Sequence, residues 1–320
     1  MSSYARVAVV TGANKGIGFA IVRNLALQYP SSALNSGPLC LYLTARDASR
    51  GQAALNALNA DAQLRKAKAL QTDGGPVHLK YHTLDVSDTK SIDTLVDDLK
   101  REHGQIDVLV NNAGIALDGF DAHIVTTTLK TNYHGTLYAT LQFLTILRSA
   151  STSRVVNVAS TMGLLNRYTP QLRQRFRDAA EGVSLDATHT ADTKHAADAA
   201  TALMREFEDA VKAGTHTQLG FPSSAYAVSK AGLIAATRAV ARSVVAKANA
   251  VEAPESPLVN SCCPGWVNTD MSKGKGSKTI DEGARTPVML ALETSEKLAA
   301  LGRSEGVCGG FWRDEKLHEW

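Results

Sequence analysis

Cysteine is scarce in this chain: Cys40, Cys262, Cys263 and Cys308 are all it has. None stands in the C-x-x-C spacing that pairs with a second such element around zinc, and four cysteines in 320 residues do not make a disulfide framework. A resident metal is therefore not expected. Free thiols in a reducing compartment are, which places the protein in the cytoplasm. The nine histidines form no i, i+4 pair on a helical segment, and His189 and His195 lie in a polar stretch that reads as solvated loop. Charge of one sign is equally lacking. Lys and Arg number 34 against 31 Asp and Glu, a formal net charge of +3, too small a surplus for a surface built to hold nucleic acid or an anionic membrane. No apolar run approaches the roughly 18 residues that cross a bilayer, and Arg6-Val-Ala-Val-Val10 is broken by Thr11 and Gly12 before it makes a signal-peptide core. Disorder is excluded from the opposite side, because 44% hydrophobic and 20% charged residues are the proportions of a soluble globular protein with a sizeable core.

What the chain does contain is an alternation of short aliphatic runs with longer helical patterns, the signature of a parallel sheet covered by helices. Val7 to Val10 reads as a first strand, Ile17 to Tyr29 as a helix with Ile17, Ile21 and Leu25 on one face, and Leu39 to Thr44 as a second strand. An Ala-rich helical stretch follows over Ala48 to Leu70, then a strand over Val77 to Leu84 and a helix from Ser91 to Glu102 that Gly104 ends. Val108 to Val110, Val155 to Val158 and Leu258 to Ser261 supply further strands, with helices near Val125 to Ala150 and Tyr226 to Ala248. The fold class expected is α/β, a three-layer, doubly wound parallel sheet. The polar segment 166–222, with its Thr/His/Asp-rich stretch Asp186 to His195, interrupts the rhythm. It carries one amphipathic helix (Leu203, Phe207, Ala210, Val211) and too few large apolar residues for a core of its own. With no linker or repeat to divide the chain, 1–320 is read as a single domain with this helical insertion, which can cover a pocket.

Thr11-Gly-Ala-Asn-Lys-Gly-Ile-Gly18 follows the first strand and opens the first helix. Its glycines, Gly12, Gly16 and Gly18, permit a sharp turn and close approach to a pyrophosphate, and the helix N-terminus offers it unpaired N–H groups; Asn14, Lys15 and Ile17 share that turn. The spacing is G-x-x-x-G-x-G, and its place inside a βαβ unit is what points to a dinucleotide. At the end of the second strand, where an acidic residue would hold the ribose 2′-hydroxyl of NAD, the chain presents Arg46. A guanidinium suits a 2′-phosphate and Lys15 can add a second cation, so NADPH/NADP+ is the expected cofactor. Alternatively, Asp47 pairs with Arg46 and both are ordinary surface. Asp85 ends a strand where it can meet the adenine amino group or serve only as a turn residue, and Asn111-Asn-Ala-Gly114 closes another strand at the same sheet edge. Tyr226-Ala-Val-Ser-Lys230 sets a phenol and an amine four apart on one helix face. An adjacent ammonium and a cationic nicotinamide would stabilise the phenolate, making Tyr226 a general acid, while Ser160 holds the carbonyl oxygen being protonated.

Taken together, T-G-x-x-x-G-x-G, N-N-A-G, a strand-end Ser and Y-x-x-x-K in that order resemble the short-chain dehydrogenase/reductase family, a Rossmann-fold family. Within it the chain is similar to the monomeric NADPH-dependent carbonyl reductases, through Leu43-Thr-Ala-Arg-Asp47, Arg154-Val-Val-Asn-Val158, Pro222-Ser-Ser-Ala-Tyr226 and Cys262-Cys-Pro-Gly-Trp-Val-Asn-Thr-Asp-Met271. The resemblance implies Asn132, Ser160, Tyr226 and Lys230 as the catalytic set, with Asn132 holding a water in the proton relay to Lys230. It implies cofactor contacts at Asp85, Val86, Asn111, Ala113, Gly114, Tyr226 and Lys230, and around the carboxamide at Pro264, Gly265, Val267 and Thr269. Most members place the serine about a dozen residues before the tyrosine; here 166–222 intervenes, as in the carbonyl-reductase subgroup, whose insertion covers the dimerising helix face and implies a monomer. The implied activity is reduction of a small-molecule ketone, aldehyde or quinone. Two alternatives are an inactive NADP(H)-binding regulator and an alcohol or hydroxysteroid dehydrogenase working oxidatively. The chain departs from the subgroup in a loop at Pro30 to Pro38 and in its longer insertion. Subgroup members can bind glutathione adducts near the Cys-Cys pair; Cys262 and Cys263 either do so or act as small buried apolar residues.

Overall fold

The structure is a computed structural model that describes residues 4–182, 193–250, 256–301 and 307–320. Its strands are β1 (Arg6–Val10), β2 (Leu39–Ala45), β3 (Val77–Thr83), β4 (Val108–Asn111), β5 (Arg154–Val158), β6 (Leu258–Cys263), β7 (Phe311–Arg313) and β8 (Lys316–His318). They form one eight-stranded sheet in the order β3-β2-β1-β4-β5-β6-β7-β8. All pairs are parallel except β7 with β8. From β1 the chain winds outward to β3 and returns to place β4 on the other side of β1. That reversal opens a crevice at the carboxyl edge, where open α/β sheets bind ligands.

The helices are α1 (Gly16–Gln28), α2 (Ala48–Asn59), α3 (Ala62–Lys66), α4 (Thr89–His103), α5 (Ala122–Leu129), α6 (Thr136–Leu144), α7 (Pro170–Ala180), α8 (Asp198–Lys212), α9 (Ala225–Ala250), α10 (Ile280–Leu292) and α11 (Ser295–Leu301). Strand side chains alternate between two buried apolar layers, as a period of two requires. Val7, Val9, Leu109 and Val155 pack with residues of α4 to α9, whereas Ala8, Val10, Val108, Val110, Val156 and Val158 pack with α1, α10 and α11. Because both faces are covered, β1, β2, β4, β5 and β6 are buried along their whole length and read in sequence as largely apolar runs, with buried Asn157, Asn260 and Ser261 the polar interruptions in β5 and β6.

Several elements differ from the sequence reading. The expected helix over Ala48 to Leu70 is broken, because Asp61 accepts from the backbone N–H of Gln63 and Leu64 and starts α3 afresh. The expected helix over Val125 to Ala150 becomes α5 and α6 joined by a π turn over Lys130–Gly135. The insertion is more structured than its polarity suggested. Thr169 caps α7, Pro170 occupies its first turn, and Leu172, Phe176, Ala179 and Ala180 are buried. Both α7 and α8 pack on α9. Of the polar stretch at Asp186 to His195, residues 183–192, His189 among them, lie outside the described residues, while His195 Nδ1 is 2.9 Å from an Asp198 carboxylate oxygen. The loop after α1 is pinned by Tyr29, whose hydroxyl donates to the Gly37 carbonyl at 2.7 Å.

Phe207 of α8 is fully buried and meets Phe120 and Phe221. Phe207→Ala should lower the unfolding free energy by about 3–5 kcal/mol in one cooperative denaturant transition. A separate early transition for the insertion would show instead that it is a unit apart from the sheet.

Candidate active site

The floor of the crevice is a backbone junction between the ends of β1 and β4. The Thr11 hydroxyl accepts from the N–H groups of Asn112 and Ala113, each at 3.0 Å. The Asn112 amide donates back to the carbonyls of Thr11 and Gly12, at 3.0 and 3.1 Å. A Cβ on Gly12 (φ +63) would lie 2.8 Å from the Ala113 Cα, and one on Gly18 would lie 2.4 Å from the Gly12 carbonyl oxygen. These two glycines exist for backbone contact with backbone. Gly16 (φ +58) faces outward, where Thr269 crosses it. Asn112 is a functional residue the sequence reading missed; its only signal is an amide beside a glycine turn.

The first turn of α1 has no side-chain cap, whereas Asp47, Asp88 and Asp121 cap α2, α4 and α5. Its N–H groups are thus available to an anion. Beside it, Asn14, Lys15 and Phe19 face Arg50, Ala53, Ala54 and Ala57 of α2 across an open groove. Arg46, at the end of β2, is exposed. Asp47 does not pair with it; its carboxylate accepts from the Arg50 N–H at 2.8 Å as the cap of α2. Lys15, expected to add a cation here, instead forms an ion pair with Asp270 at 2.6 Å, and Arg50 is the second guanidinium on this side. Arg50 was missed because nothing in the sequence distinguishes it from any solvated residue one turn into a helix.

Asp85 is partly buried, and one of its carboxylate oxygens accepts from the backbone N–H and hydroxyl of Ser87, at 2.9 and 2.7 Å. Val86 is buried, with its carbonyl against Gly135 of the π turn. The Asn111 side chain turns into the sheet, donating to Thr140 Oγ1 and Asn157 Oδ1 at 3.0 and 2.9 Å, so contact with a ligand in the crevice falls to its backbone. Gly114 is the close neighbour of the reactive groups. A Cβ there would lie 3.2 Å from Asn132 Oδ1 and 3.6 Å from Lys230 Nζ.

Ser160 ends the segment after β5, and its hydroxyl lies near enough to that of Tyr226 on α9 to act on the phenol's acidity. Lys230 stands 5.7 Å from the Tyr226 ring centroid and donates to the Val158 carbonyl at 2.8 Å. The phenol and amine one helical turn apart therefore lie side by side. Burial raises the Tyr226 phenol to about 12, opposed in part by the Ser160 hydroxyl. The expected lowering by the ammonium is not seen, because burial also drives Lys230 down to about 8. Asn132 is wholly engaged: Oδ1 accepts from the Ile115 N–H at 2.8 Å, and Nδ2 donates to the Ile115 carbonyl and to Ser229 Oγ, at 2.8 and 3.2 Å.

The segment after β6 closes the crevice. Pro264 is half-buried, and Gly265 (φ +88) lies under the Lys278 side chain, whose ammonium pairs with Asp314. Asn268 donates to the Lys278 carbonyl and Lys278 to that of Trp266, at 2.8 and 2.9 Å, so the segment runs as a short strap. Val267 packs with Ile17 around Gly283. Two exposed ion pairs tie the strap down, Asp270 to Lys15 and Lys273 to Asp118 at 2.8 Å. Cys262 is buried, with its thiol pushed up by burial, and the Cys263 sulfur lies 3.8 Å from Thr161 Oγ1. Both fit the small apolar reading.

Because burial takes Lys230 from 10.5 to about 8, the unfolded chain holds the extra proton between those values, and stability rises with pH across that window. Unfolding free energy measured from pH 8 to 10.5 should climb more steeply for the native chain than for Lys230→Met. Parallel curves would refute the buried amine.

Comparison with known proteins agrees with this geometry. The family model described as short chain dehydrogenase matches residues 6–171. The chain is 40% identical to carbonyl reductase (NADPH) 1 of Sus scrofa over 326 aligned positions, covering 100% of this chain and 96% of that protein. It is 37% identical to carbonyl reductase (NADPH) 1 of Homo sapiens, covering 100% of each chain. Among solved structures, salutaridine reductase from Papaver somniferum superposes with a TM-score of 0.70 at 27% identity, covering 96% of this chain and 99% of that one. With a family pattern through half its residues and relatives matched along its whole length, the chain belongs to the short chain dehydrogenase family.

Proposed function

We propose that the protein reduces small-molecule ketones, aldehydes or quinones to alcohols with NADPH. The observation that carries the reading is the hydroxyl pair of Ser160 and Tyr226 beside the buried amine of Lys230, at the crevice edge that the glycine turn and the strap enclose. The residues present fit the cofactor. The uncapped first turn of α1 would receive the pyrophosphate, Arg46 and Arg50 the 2′-phosphate, and Val267, Thr269 and Gly114 would line the nicotinamide end. When bound, NADPH supplies the hydride.

The remaining chemistry belongs to the chain. Two hydroxyls aimed at one point can hold a carbonyl oxygen and stabilise the negative charge that develops on it. Tyr226 then gives its proton to that oxygen. Its high pKa in the buried site keeps it protonated beforehand, so a phenol rather than a phenolate meets the substrate. Lys230, bonded to the Val158 carbonyl, returns a proton to Tyr226, and a water held by Asn132 resupplies Lys230. The packing of α7 and α8 on α9 covers the helix face that many relatives use to dimerise and supports a monomer. Four free cysteines support a reducing, cytoplasmic setting. Among the described residues no helix is long and apolar enough to cross a membrane.

Tyr226→Phe should bind NADPH, followed by cofactor fluorescence, with unchanged affinity and lose about 10²-fold or more in kcat. Undiminished turnover by that variant would reject the assignment. Arg46→Ala combined with Arg50→Ala should weaken NADPH binding by about 10-fold or more and leave NADH binding unaltered, since each deletes a charge-assisted contact to the 2′-phosphate alone. Equal losses for both cofactors would move the 2′-phosphate elsewhere.

A further inference from the structure

Trp320 stands outside the chemistry just described, yet it touches the turn that carries Ser160. That turn is tight. The Ser160 hydroxyl accepts from the Met162 N–H at 3.1 Å, and the Gly163 N–H donates to the Ser160 carbonyl at 3.0 Å. Its inner side lies on the α9 backbone at Lys230: a Cβ on Gly163 would come within 2.6 Å of the Lys230 carbonyl carbon and 2.7 Å of the Ala231 nitrogen. Its outer side is held by Trp320, whose indole N–H donates to the Gly163 carbonyl at 2.9 Å. The indole is itself gripped by two elements. The Arg238 guanidinium of α9 lies 5.6 Å from its ring, and Phe176 of α7 meets it edge-on at 6.4 Å. The ring also packs in the small apolar cluster of Ala159, Leu233, Ile234, Cys263 and Phe311.

We infer that Trp320 is a positioning residue for Ser160, pressing the Thr161–Gly163 turn onto α9 so that the serine hydroxyl keeps its place beside Tyr226. The inference rests on the reductase reading of the site. A rigid aromatic held by two helices is suited to this, since hydroxyl placement to a fraction of an ångström governs how well two donors share one developing oxyanion. It also gives the insertion a part in catalysis, because α7 supplies one of the walls against which the indole rests.

A double-mutant cycle tests it. Trp320→Phe keeps an aromatic ring while removing the N–H donor and part of the indole; Trp320→Leu is a second variant without a donor. Each should lower kcat by about three- to tenfold, the loss of one hydrogen bond, with the NADPH dissociation constant unchanged. In a Ser160→Ala background the same substitutions should lower kcat by less than about twofold, because the group they position is gone. Unchanged kcat in the single variants, or an equal loss in both backgrounds, would overturn the positioning role while leaving the reductase site intact. Full turnover by Ser160→Ala alone would overturn the reductase site and this inference with it.

Discussion

Two neighbouring parallel strands, β1 and β4, must end within backbone contact and send their chains in opposite directions, and the bond set of Thr11 with Asn112 is what makes that possible. Ordinary side chains would hold the two turns apart. Gly12 and Gly18 remove the obstruction, a hydroxyl and an amide join what remains, and the first turn of α1 emerges uncapped and aimed at the crevice. From the same junction Gly114 continues to the Lys230 amine. The anion site and the reactive site are thus two ends of a single backbone construction.

Below that junction the sheet carries a buried polar chain that its apolar surroundings make expensive to disturb. Asn111 donates to Thr140 and Asn157, and Asn157 donates to Thr237 of α9 at 2.9 Å. Fully buried amides and hydroxyls stabilise little in net terms, but any shift that breaks them leaves a dry unpaired group, so they fix β4, β5 and α9 in one register. That register sets Ser160, at the end of β5, against Tyr226. The desolvation that raises the phenol and lowers the amine follows from the same dry interior, with no counter-charge required.

The fold was legible where physics acts locally. Continuous apolar runs marked the buried strands, and Gly104, with its φ of +78, ended α4 as its lack of a side chain allows. The nearness of Tyr226 to Lys230 was legible because residues four apart on a helix share a face. Less was visible where partners meet across long separations. That Lys15 would pair with Asp270, that the Asn111 amide would turn inward, and that Asn112 rather than its neighbour would join the turns are facts about residues far apart in the chain. Helix α7 escaped notice because its buried face is narrow and most of its residues are polar. β7 and β8, three residues each, are too short to show an alternation.

The strap after β6 carries one more consequence. Its inner residues are joined to Lys278 by backbone hydrogen bonds, but its far end is tied down by carboxylate and ammonium groups standing in water. Contacts of that kind contribute little and are screened by salt. The enclosure is therefore hinged by design of its materials: rigid where hydride must travel a fixed distance, and loose at the rim where a spent dinucleotide has to leave without the β-sheet giving way.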